Sequence, residues 1–276
     1  MAKTWLITGC SSGLGKELAT AVLAHGDNCV VTARKPEAVA ELVAQYPDTA
    51  VAARLDVNDL DSIAEAVAAA DRFGGVDVLV NNAGYCLRGA VEECTRDEIV
   101  RQFDTNVFGP VTVMQAVLPQ MRARRSGVIV NYSSIAALRA AVGSGYYAAS
   151  KAAIELISDA LRGEVEPLGI RVMVVEPGPF GTDFYSRSLD VNEARIADYA
   201  ETAGTRKVRQ DNAGKMGDGW GSPAKAAQTV ITAVEAGEAP FRLLLGSVAI
   251  AAAEGRAKGT LEEVEKFRDL ILSSDV

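Results

Sequence analysis

Histidine and paired cysteine motifs are scarce in this chain of 276 residues. His25 is the only histidine, so zinc sites built on several histidines are excluded and a Ser-His-Asp triad has one candidate base. The cysteines have neither CxxC spacing nor the density of a disulfide scaffold, and they stand at positions 10, 29, 86 and 94. We therefore expect free, mostly buried thiols and no metal centre.

Basic residues and long apolar runs are also in short supply. Lys and Arg total 28 against 36 Asp and Glu, and a net charge of −8 repels the phosphate backbone of nucleic acids. No apolar run reaches the ~18 residues of a membrane span, and residues 1–5 lack the layout of a signal peptide. The sequence thus predicts a soluble, cytoplasmic protein with no nucleic-acid or membrane partner.

The pattern that is present is typical of an α/β protein, because short apolar runs alternate with helix-length segments. With 49% apolar residues, a chain of this length can bury a large core. We predict a single domain over residues 1–276, with a doubly wound parallel sheet of about seven strands and helices on both faces. The runs that fit strands are residues 5–8, 29–33, 50–55, 76–80, 128–132, 170–175 and 242–245.

Two segments depart from this alternation. Residues 180–221 are polar and glycine-rich, with a helical pattern only around 191–200, and we expect them to form a substrate lid. Residues 246–276 form a C-terminal extension. Capping patterns predict helix starts at Thr95 with Glu98, at Thr260 with Glu263, and at Ser222 before Pro223.

The first strand runs into the glycine-rich turn Thr8-Gly9-Cys10-Ser11-Ser12-Gly13-Leu14-Gly15, and a helical pattern follows. This is the context of a dinucleotide-binding fingerprint, in which the backbone and a helix N-terminus approach a pyrophosphate. Residues 9–13 also match G-x-S-x-G, the nucleophile elbow of an α/β hydrolase. That fold orders its triad serine, acid, then histidine, whereas His25 lies only 14 residues after Ser11, so we reject the hydrolase interpretation.

Tyr147 and Lys151 are four residues apart at the start of a helical pattern, so both project from one helix face. A phenol with a pKa of about 10 exchanges a proton at neutral pH only if its anion is stabilised, and a neighbouring ammonium supplies that stabilisation. Taken alone, the pair has a plain alternative, which is an exposed tyrosine and lysine that share a face.

Other motifs accompany this pair. The turn Thr8-Gly9-x-x-x-Gly13-x-Gly15 is followed by Asn81-Asn82-Ala83-Gly84, by Asn106, by Ser134 thirteen residues before Tyr147, and by Pro177-Gly178. In this order, the motifs resemble the short-chain dehydrogenase/reductase family over residues 4 to about 245. The resemblance implies a Rossmann-type fold that binds NAD(H) or NADP(H) and passes hydride between the nicotinamide and a carbonyl or alcohol carbon.

The resemblance also implies four catalytic positions. Tyr147 is expected to donate the proton in ketone reduction, and Lys151 to lower the pKa of Tyr147 and bind the nicotinamide ribose. Ser134 is expected to hydrogen-bond the substrate oxygen, and Asn106 to hold a water molecule that relays protons to Lys151.

Neighbouring residues compete for two of these positions. Tyr146 is followed four residues on by Ser150 and not by a lysine, so spacing favours Tyr147. Ser134 fits the family's separation from the tyrosine better than Ser133 does. Since no catalytic position is substituted, an enzyme is favoured over a non-catalytic dinucleotide-binding redox sensor. The glycine spacing and the short C-terminal part argue against an extended-type epimerase or dehydratase.

The cofactor preference is indicated at the end of the second strand, where an acidic residue would bind the adenosine ribose and repel a 2′-phosphate. Ala33 takes that place, and Arg34 and Lys35 follow, so we expect NADP(H), with NAD(H) as the alternative. Asp56 resembles the adenine-contacting position and Thr182 the carboxamide-contacting one. The expected cofactor-binding residues are Gly9, Ser11, Ser12, Gly13, Leu14, Gly15, Arg34, Asp56, Val57, Asn82, Ala83, Gly84, Tyr147, Lys151, Pro177, Gly178 and Thr182.

The family's layout also indicates a mostly apolar substrate pocket, which favours a medium or bulky ketone or aldehyde over a sugar or a small charged acid. Arg88 and Arg139 are expected to point outward, although either would bind a carboxylate or phosphate if turned inward. Family members associate through helices that begin here near Arg96 and Tyr147, so we expect a homodimer or homotetramer. The expected pocket residues are Tyr85, Cys86, Leu87, Leu138, Val142, Phe180, Phe184 and Tyr185.

Overall fold

The computed structural model describes residues 2–206 and 220–275, apart from the side chains of Tyr185, Ser186 and Arg206. The strands among these residues are β1 Thr4–Ile7, β2 Asn28–Ala33, β3 Ala50–Arg54, β4 Val78–Asn81, β5 Cys86–Arg88, β6 Gly127–Tyr132, β7 Ile170–Pro177, β8 Leu189–Val191 and β9 Arg242–Leu245. Seven of them form one sheet in the order β3-β2-β1-β4-β6-β7-β9, in which every pair is parallel. β5 and β8 pair separately, also in parallel.

Helices cover both faces of the seven-stranded sheet. They are α1 Gly13–His25, α2 Ala40–Ala44, α3 Leu60–Ala68, α4 Arg96–Phe103, α5 Gly109–Arg124, α6 Ile135–Leu138, α7 Gly145–Val165, α8 Phe184–Arg187, α9 Pro223–Glu235, α10 Ser247–Lys266 and α11 Arg268–Leu272. Successive strand side chains point to opposite faces. Trp5 and Ile7 therefore join a core with α1 and α9, whereas Leu6 joins a second core with α3, α5 and α7. The doubly wound α/β architecture is confirmed.

Two local expectations from the sequence are wrong. Residues 191–200 do not form a helix, because Leu189–Val191 is a strand whose backbone pairs with β5, and only Ala197–Tyr199 makes a short 3₁₀ turn. Thr260 does not start a helix, because it lies inside α10 and its hydroxyl donates to the carbonyl of Arg256. The capping box at Thr95 and the cap at Ser222 are present as expected.

The site is located by the strand order. Parallel strands bring their carboxyl ends to one edge of the sheet, and β1 is flanked by β2 on one side and β4 on the other. At such a switch in strand order, a crevice opens beyond the ends of the strands and receives the ligand. The turn after β1, the loops after β4 and β6, and the start of the expected lid all lie at this edge.

Residues 207–219 of the expected lid lie outside the described residues. The C-terminal extension consists of α10 and α11. The single-domain division stays a prediction. Among the helices of residues 2–206 and 220–275, none combines the length and the apolar character required to cross a membrane.

Candidate active site

The glycine-rich turn after β1 approaches the loop after β4 very closely. Gly9 has a φ of +74°, and a Cβ at this residue would lie 3.0 Å from the Cα of Ala83. Gly13, with a φ of +60°, opens α1. Ser12 is the N-cap residue of α1 but makes no side-chain capping hydrogen bond. The turn therefore leaves the first N–H groups of α1 to be capped by another group, as an anion-binding helix terminus does.

Asn82 braces this turn. Its side-chain amide donates to the carbonyls of Thr8 at 2.9 Å and Gly9 at 3.2 Å. The Thr8 hydroxyl accepts from the backbone N–H groups of Asn82 and Ala83, both at 3.0 Å. A Cβ at Gly15 would lie 2.5 Å from the Gly9 carbonyl oxygen and closer still to the Asn82 amide nitrogen. The three segments thus form one cradle, which only glycine at positions 9 and 15 leaves unstrained.

Asn106 connects the loop after β4 to α7. It is buried in a π-helical turn, Asp104–Phe108, that joins α4 to α5. Its amide oxygen accepts from the N–H of Tyr85 at 3.1 Å, and its amide nitrogen donates to the Tyr85 carbonyl at 2.9 Å and the Ser150 hydroxyl at 3.1 Å. The Ser150 hydroxyl donates in turn to the carbonyl of Tyr147 at 2.7 Å. Asn106 therefore holds the first turns of α7 in register with Tyr85.

Tyr147 and Lys151 lie on the buried face of α7, with only 8% and 6% of their surfaces exposed. The Lys151 Nζ donates to the carbonyl of Tyr132 at 2.8 Å and lies 6.0 Å from the centre of the Tyr147 ring. A Cβ at Gly84 would lie 3.5 Å from this Nζ and 3.0 Å from the Asn106 amide oxygen. The alternative of an exposed tyrosine and lysine is thereby excluded.

Burial lowers the pKa of Lys151 to about 8, because the interior disfavours its ammonium form. Negative charge on Cys86 or on Glu155 acts in the opposite direction, since it favours the ammonium. Because burial raises the pKa of the Cys86 thiol well above that of Lys151, this charge is supplied by Glu155 at neutral pH. The Lys151 ammonium therefore loses its proton at a pH only slightly above neutral.

The structure distinguishes Ser134 from Ser133 and Tyr147 from Tyr146, because the members of each adjacent pair have different environments. Ser134 is the half-buried N-cap residue of α6, and its hydroxyl accepts from the backbone N–H two residues on at 3.1 Å. Ser133 turns into the interior instead and donates to Glu155. The Tyr146 hydroxyl donates to the Val91 carbonyl at 3.1 Å, on the outer side of the helix start.

Comparison with known proteins identifies the family. The model of the short chain dehydrogenase family matches residues 3–192. The chain belongs to the short-chain dehydrogenase/reductase family. Oxidoreductase BOA17 from Botryotinia fuckeliana is 36% identical over 282 aligned residues, which cover 99% of this chain and 100% of that protein. The crystal structure of a short-chain dehydrogenase from Streptomyces avermitilis is 40% identical, with a TM-score of 0.90 over 99% of this chain and 98% of that one.

A third relative has been solved with a dinucleotide bound. A short chain dehydrogenase from Burkholderia cenocepacia, solved in complex with NADP, is 25% identical with a TM-score of 0.73 over 96% of this chain and 97% of that one. As a member of the family, the chain is an oxidoreductase that uses a nicotinamide dinucleotide.

The described residues of this short-chain dehydrogenase/reductase fit a dinucleotide. A Cβ at Gly13 would lie 3.8 Å from the Cβ of Thr182, so the start of the expected lid lies over the cradle and the uncapped end of α1. Arg34 is exposed directly after β2. Asp56 is half-buried and accepts from the N–H of Asn58 at 3.1 Å. Pro177 and Gly178, at the end of β7, and the buried Val57 lie at the same edge of the sheet.

An apolar cluster surrounds the Tyr147 ring. The Phe184 ring centre lies 6.1 Å from that of Tyr147, and Cys86 and Leu189 pack in the same cluster. The pairing of β5 with β8 brings Cys86 opposite Leu189, so the two short strands build this wall. The expected neighbours Phe184 and Cys86 therefore lie beside the phenol.

The other expected pocket residues are dispersed. Phe180 is buried in the core that contains α1 and α9, and Gly221 leaves space for its ring. Leu87 is also buried, whereas Tyr85 and Leu138 are half-buried. Val142 lines an outer cavity of about 540 Å³ with Val91 and Tyr199. The side chain of Tyr185 lies outside the described residues.

Arg88 corrects one expectation. It does not point outward: it is half-buried two residues after Cys86 on the same face of β5, its Nε is buried, and it hydrogen-bonds the Cys86 thiol. Burial raises the pKa of Cys86 to about 11, and Arg88 opposes that rise. Arg139 is exposed, as expected.

Two residues that contact this site were not anticipated. Ser150 lies between Asn106 and the Tyr147 carbonyl, and Glu155 lies one turn beyond Lys151. Ser150 follows Tyr147 by three residues, and Glu155 follows Lys151 by four. The helical periodicity that placed Tyr147 and Lys151 on one face therefore also indicates that Ser150 and Glu155 lie on that face.

Proposed function

We propose that this protein is an NADP(H)-dependent reductase of the carbonyl reductase type, which interconverts a ketone or aldehyde and an alcohol. The observation that carries the proposal is the buried Tyr147–Lys151 pair beside Gly84, at the carboxyl edge of the sheet. A buried phenol next to an ammonium is suited to transfer a proton to or from a substrate oxygen. The membership of the oxidoreductase family supports the same chemistry.

In the proposed reaction, each side chain of the site has a separate role. The nicotinamide, when bound, exchanges a hydride with the substrate carbon. In reduction, the Tyr147 hydroxyl gives its proton to the carbonyl oxygen, and the Lys151 ammonium stabilises the phenolate that remains. The Ser134 hydroxyl, fixed at the N-terminus of α6, hydrogen-bonds the same oxygen. Asn106 keeps Tyr85 and α7 in place. A water molecule held there would relay a proton from solvent through Lys151 to the Tyr147 phenolate, which restores the phenol.

The cradle and the N-terminus of α1 would hold the dinucleotide, because the N–H groups at an uncapped helix terminus are suited to bind a pyrophosphate. The preference for NADP(H) is supported by Arg34, which is exposed directly after β2 and has no acidic residue before it, since Ala33 ends the strand. A guanidinium makes charge-assisted, bidentate hydrogen bonds to a phosphate. An NAD-dependent enzyme is the alternative.

The cofactor proposal is tested by kinetics with both dinucleotides. Arg34→Ala removes a contact that only NADPH uses, so the preference for NADPH over NADH should fall by about 10-fold or more, which corresponds to ~1.5 to 3 kcal/mol for a charged hydrogen bond. The matched control is Arg54→Ala on the adjacent strand, whose guanidinium pairs with Asp59. A wild-type enzyme that prefers NADH, or an equal loss in both variants, would refute the assignment.

For the substrate, we propose a medium or bulky apolar carbonyl compound, because Phe184, Leu189 and Cys86 form the wall around Tyr147. The inward position of Arg88 favours a second candidate, an apolar carbonyl compound that also has a carboxylate or phosphate group. A screen of NADPH oxidation across aldehydes, alicyclic and aryl ketones, steroids and keto acids separates the two. If keto acids are preferred and Arg88→Ala abolishes that preference, the second candidate is correct. Cofactor binding without any turnover would instead indicate the redox sensor.

A further inference from the structure

A cluster of charged and polar residues adjoins the Tyr147–Lys151 pair and consists of Glu155, Glu176, Arg242 and Ser133. It is formed where α7 packs against the sheet near the ends of β6 and β7 and the start of β9. Two of its members are carboxylates in the interior, Glu155 with 5% and Glu176 with 1% of the surface exposed. Buried carboxylates are costly unless they are paired and hydrogen-bonded. The other members, Ser133 and Arg242, supply partners for three of the four carboxylate oxygens, and the Oε2 of Glu176 has no partner among the described residues.

Both oxygens of Glu155 are engaged. One accepts from the Ser133 hydroxyl at 2.5 Å, and the other forms a short ion pair with the Arg242 guanidinium. The same guanidinium nitrogen donates to Glu176 at 2.9 Å. Arg242 is thus shared by two buried carboxylates. Glu155 also accepts a hydrogen bond from the Ser133 hydroxyl.

Glu155 follows Lys151 by one helical turn, and the Ser133 hydroxyl contacts both residues. The Ser133 hydroxyl lies 3.4 Å from the Lys151 carbonyl oxygen while it donates to Glu155. The Lys151 ammonium does not lie within ion-pair distance of Glu155; it donates to the Tyr132 carbonyl and lies 6.0 Å from the centre of the Tyr147 ring. Glu155 therefore acts on Lys151 as a fixed negative charge at a distance and not as an ion-pair partner.

We propose that Glu155 is a positioning residue, held back by Ser133 and Arg242, which keeps Lys151 charged while leaving its Nζ directed at the tyrosine. A direct ion pair would draw the ammonium out of the site, whereas an uncharged neighbour would let burial neutralise it. The inference rests on the proposed catalytic roles of Tyr147 and Lys151. It adds to them a residue outside the reacting groups.

Among the described residues, the titratable and charged groups that face Lys151 and Glu155 come from α7, β5, β7 and β9. Lys151 is faced by the Cys86 thiol from β5 and by Tyr147 and Glu155 from its own helix, and Arg88 acts on Cys86. Glu155 is faced by Arg242 from β9 and, across that guanidinium, by Glu176 from β7. Glu155 and Glu176 both lose an Arg242 contact when neutralised, but Glu155 lies on α7 one turn from Lys151, whereas Glu176 lies on β7 across the Arg242 guanidinium.

The test compares Glu155→Gln with the matched control Glu176→Gln. Lysine labelled with ¹³C at Cε allows the titration of Lys151 to be followed by NMR, with the resonance assigned from Lys151→Arg. In Glu155→Gln, the midpoint should fall by about 0.5 pH units or more, which is less than the ~1 to 3 units of a directly paired charge because Glu155 acts from a distance. In Glu176→Gln and in Glu155→Asp, the midpoint should stay at the wild-type value. An unchanged midpoint in Glu155→Gln, or an equal fall in Glu176→Gln, would overturn the proposal.

Kinetics give a second readout. The decline of kcat/KM for carbonyl reduction at alkaline pH should move down by the same amount in Glu155→Gln and stay in place in Glu176→Gln. If Glu155→Gln does not fold, Glu155→Met, which has a similar volume and no buried polar group, replaces it in both measurements. The NMR titration does not depend on turnover. A protein without carbonyl reductase activity would therefore refute the proposed function and leave the effect of Glu155 on Lys151 separately measurable.

Discussion

The two adjacent tyrosines at the start of α7 have different environments. Tyr147 is buried against Phe184, whereas Tyr146 is half-buried and donates to a backbone carbonyl. Tyr147→Phe removes the proposed proton donor and hardly changes the volume, so turnover of a carbonyl substrate should fall by ~100-fold or more. Dissociation constants for the dinucleotide should stay close to the wild-type value.

Steady-state kinetics and fluorescence titration with NADPH measure these effects. The control is Tyr146→Phe, which should retain near-normal turnover because its hydroxyl only binds the Val91 carbonyl. Near-normal turnover in Tyr147→Phe would contradict the assignment of the proton donor.

Lys151 predicts a pH dependence of stability. Its pKa is about 8 in the folded chain and about 10.4 in an unfolded one, so between these values the unfolded state binds more protons. The free energy of unfolding should therefore rise as the pH increases through this interval, by up to ~3 kcal/mol from this group. Lys151→Met lacks the titrating group, so the stability of the wild type relative to this variant should increase between pH 7.5 and pH 9.5.

Urea unfolding at a series of pH values measures this difference. A wild-type protein that loses stability relative to Lys151→Met over the interval would show that the ammonium is favoured in the fold, contrary to the burial of Lys151.

At the scale of elements, the turn between β1 and α1 is constrained by close contacts with the loop after β4. Gly15→Ala would place a Cβ 2.5 Å from the Gly9 carbonyl and against the Asn82 amide. Because both groups belong to the cradle, we expect NADPH affinity to fall by about 10-fold or more, in line with the loss of one charged hydrogen bond. Calorimetric titration of the dinucleotide measures the affinity.

The control for this change is Gly163→Ala, on the exposed side of α7, where a Cβ would meet nothing within 4 Å. There, alanine should raise the free energy of unfolding by ~0.5 to 1 kcal/mol, because it restricts the unfolded chain and favours the helix. If Gly15→Ala binds NADPH as tightly as Gly163→Ala does, the cradle does not hold the cofactor.

Some elements of the structure were predictable from sequence patterns, and others were not. The seven strands of the sheet were predictable from apolar runs bounded by turns, since buried parallel strands are apolar on both faces. β5 and β8 were not, because three residues are too few to show alternation. The false helix start at Thr260 has a related cause, since S/T-x-x-E also occurs on the exposed face of a long helix, where Thr260 bonds within α10.

At the scale of the whole molecule, we predict self-association through α4, the π-helical turn and α7. Val100, Phe108 and Leu156 lie on these elements and are 42%, 59% and 68% exposed. Covering such side chains removes apolar surface from water. We expect a homodimer or homotetramer, and Leu156→Asp should shift it toward the monomer because the interface would bury an unpaired charge.

Sedimentation velocity over a range of concentrations measures the assembly. The control is Leu270→Asp on α11, where the leucine is 71% exposed on a different surface. A monomeric wild type, or dissociation by Leu270→Asp and not by Leu156→Asp, would contradict the predicted interface.

The sequence by itself determined the features that depend on short spacing. Apolar periodicity defined the strands and helices, the glycine pattern defined the turn before α1, and a separation of four placed Tyr147 and Lys151 on one helix face. Only the tertiary structure decided that Arg88 points inward, that Ser133 and not Ser134 binds Glu155, and that Arg242 reaches Glu155 from 87 residues away. The physical reason is that these contacts depend on strand order and on how α7 packs against the sheet, and no local periodicity encodes either.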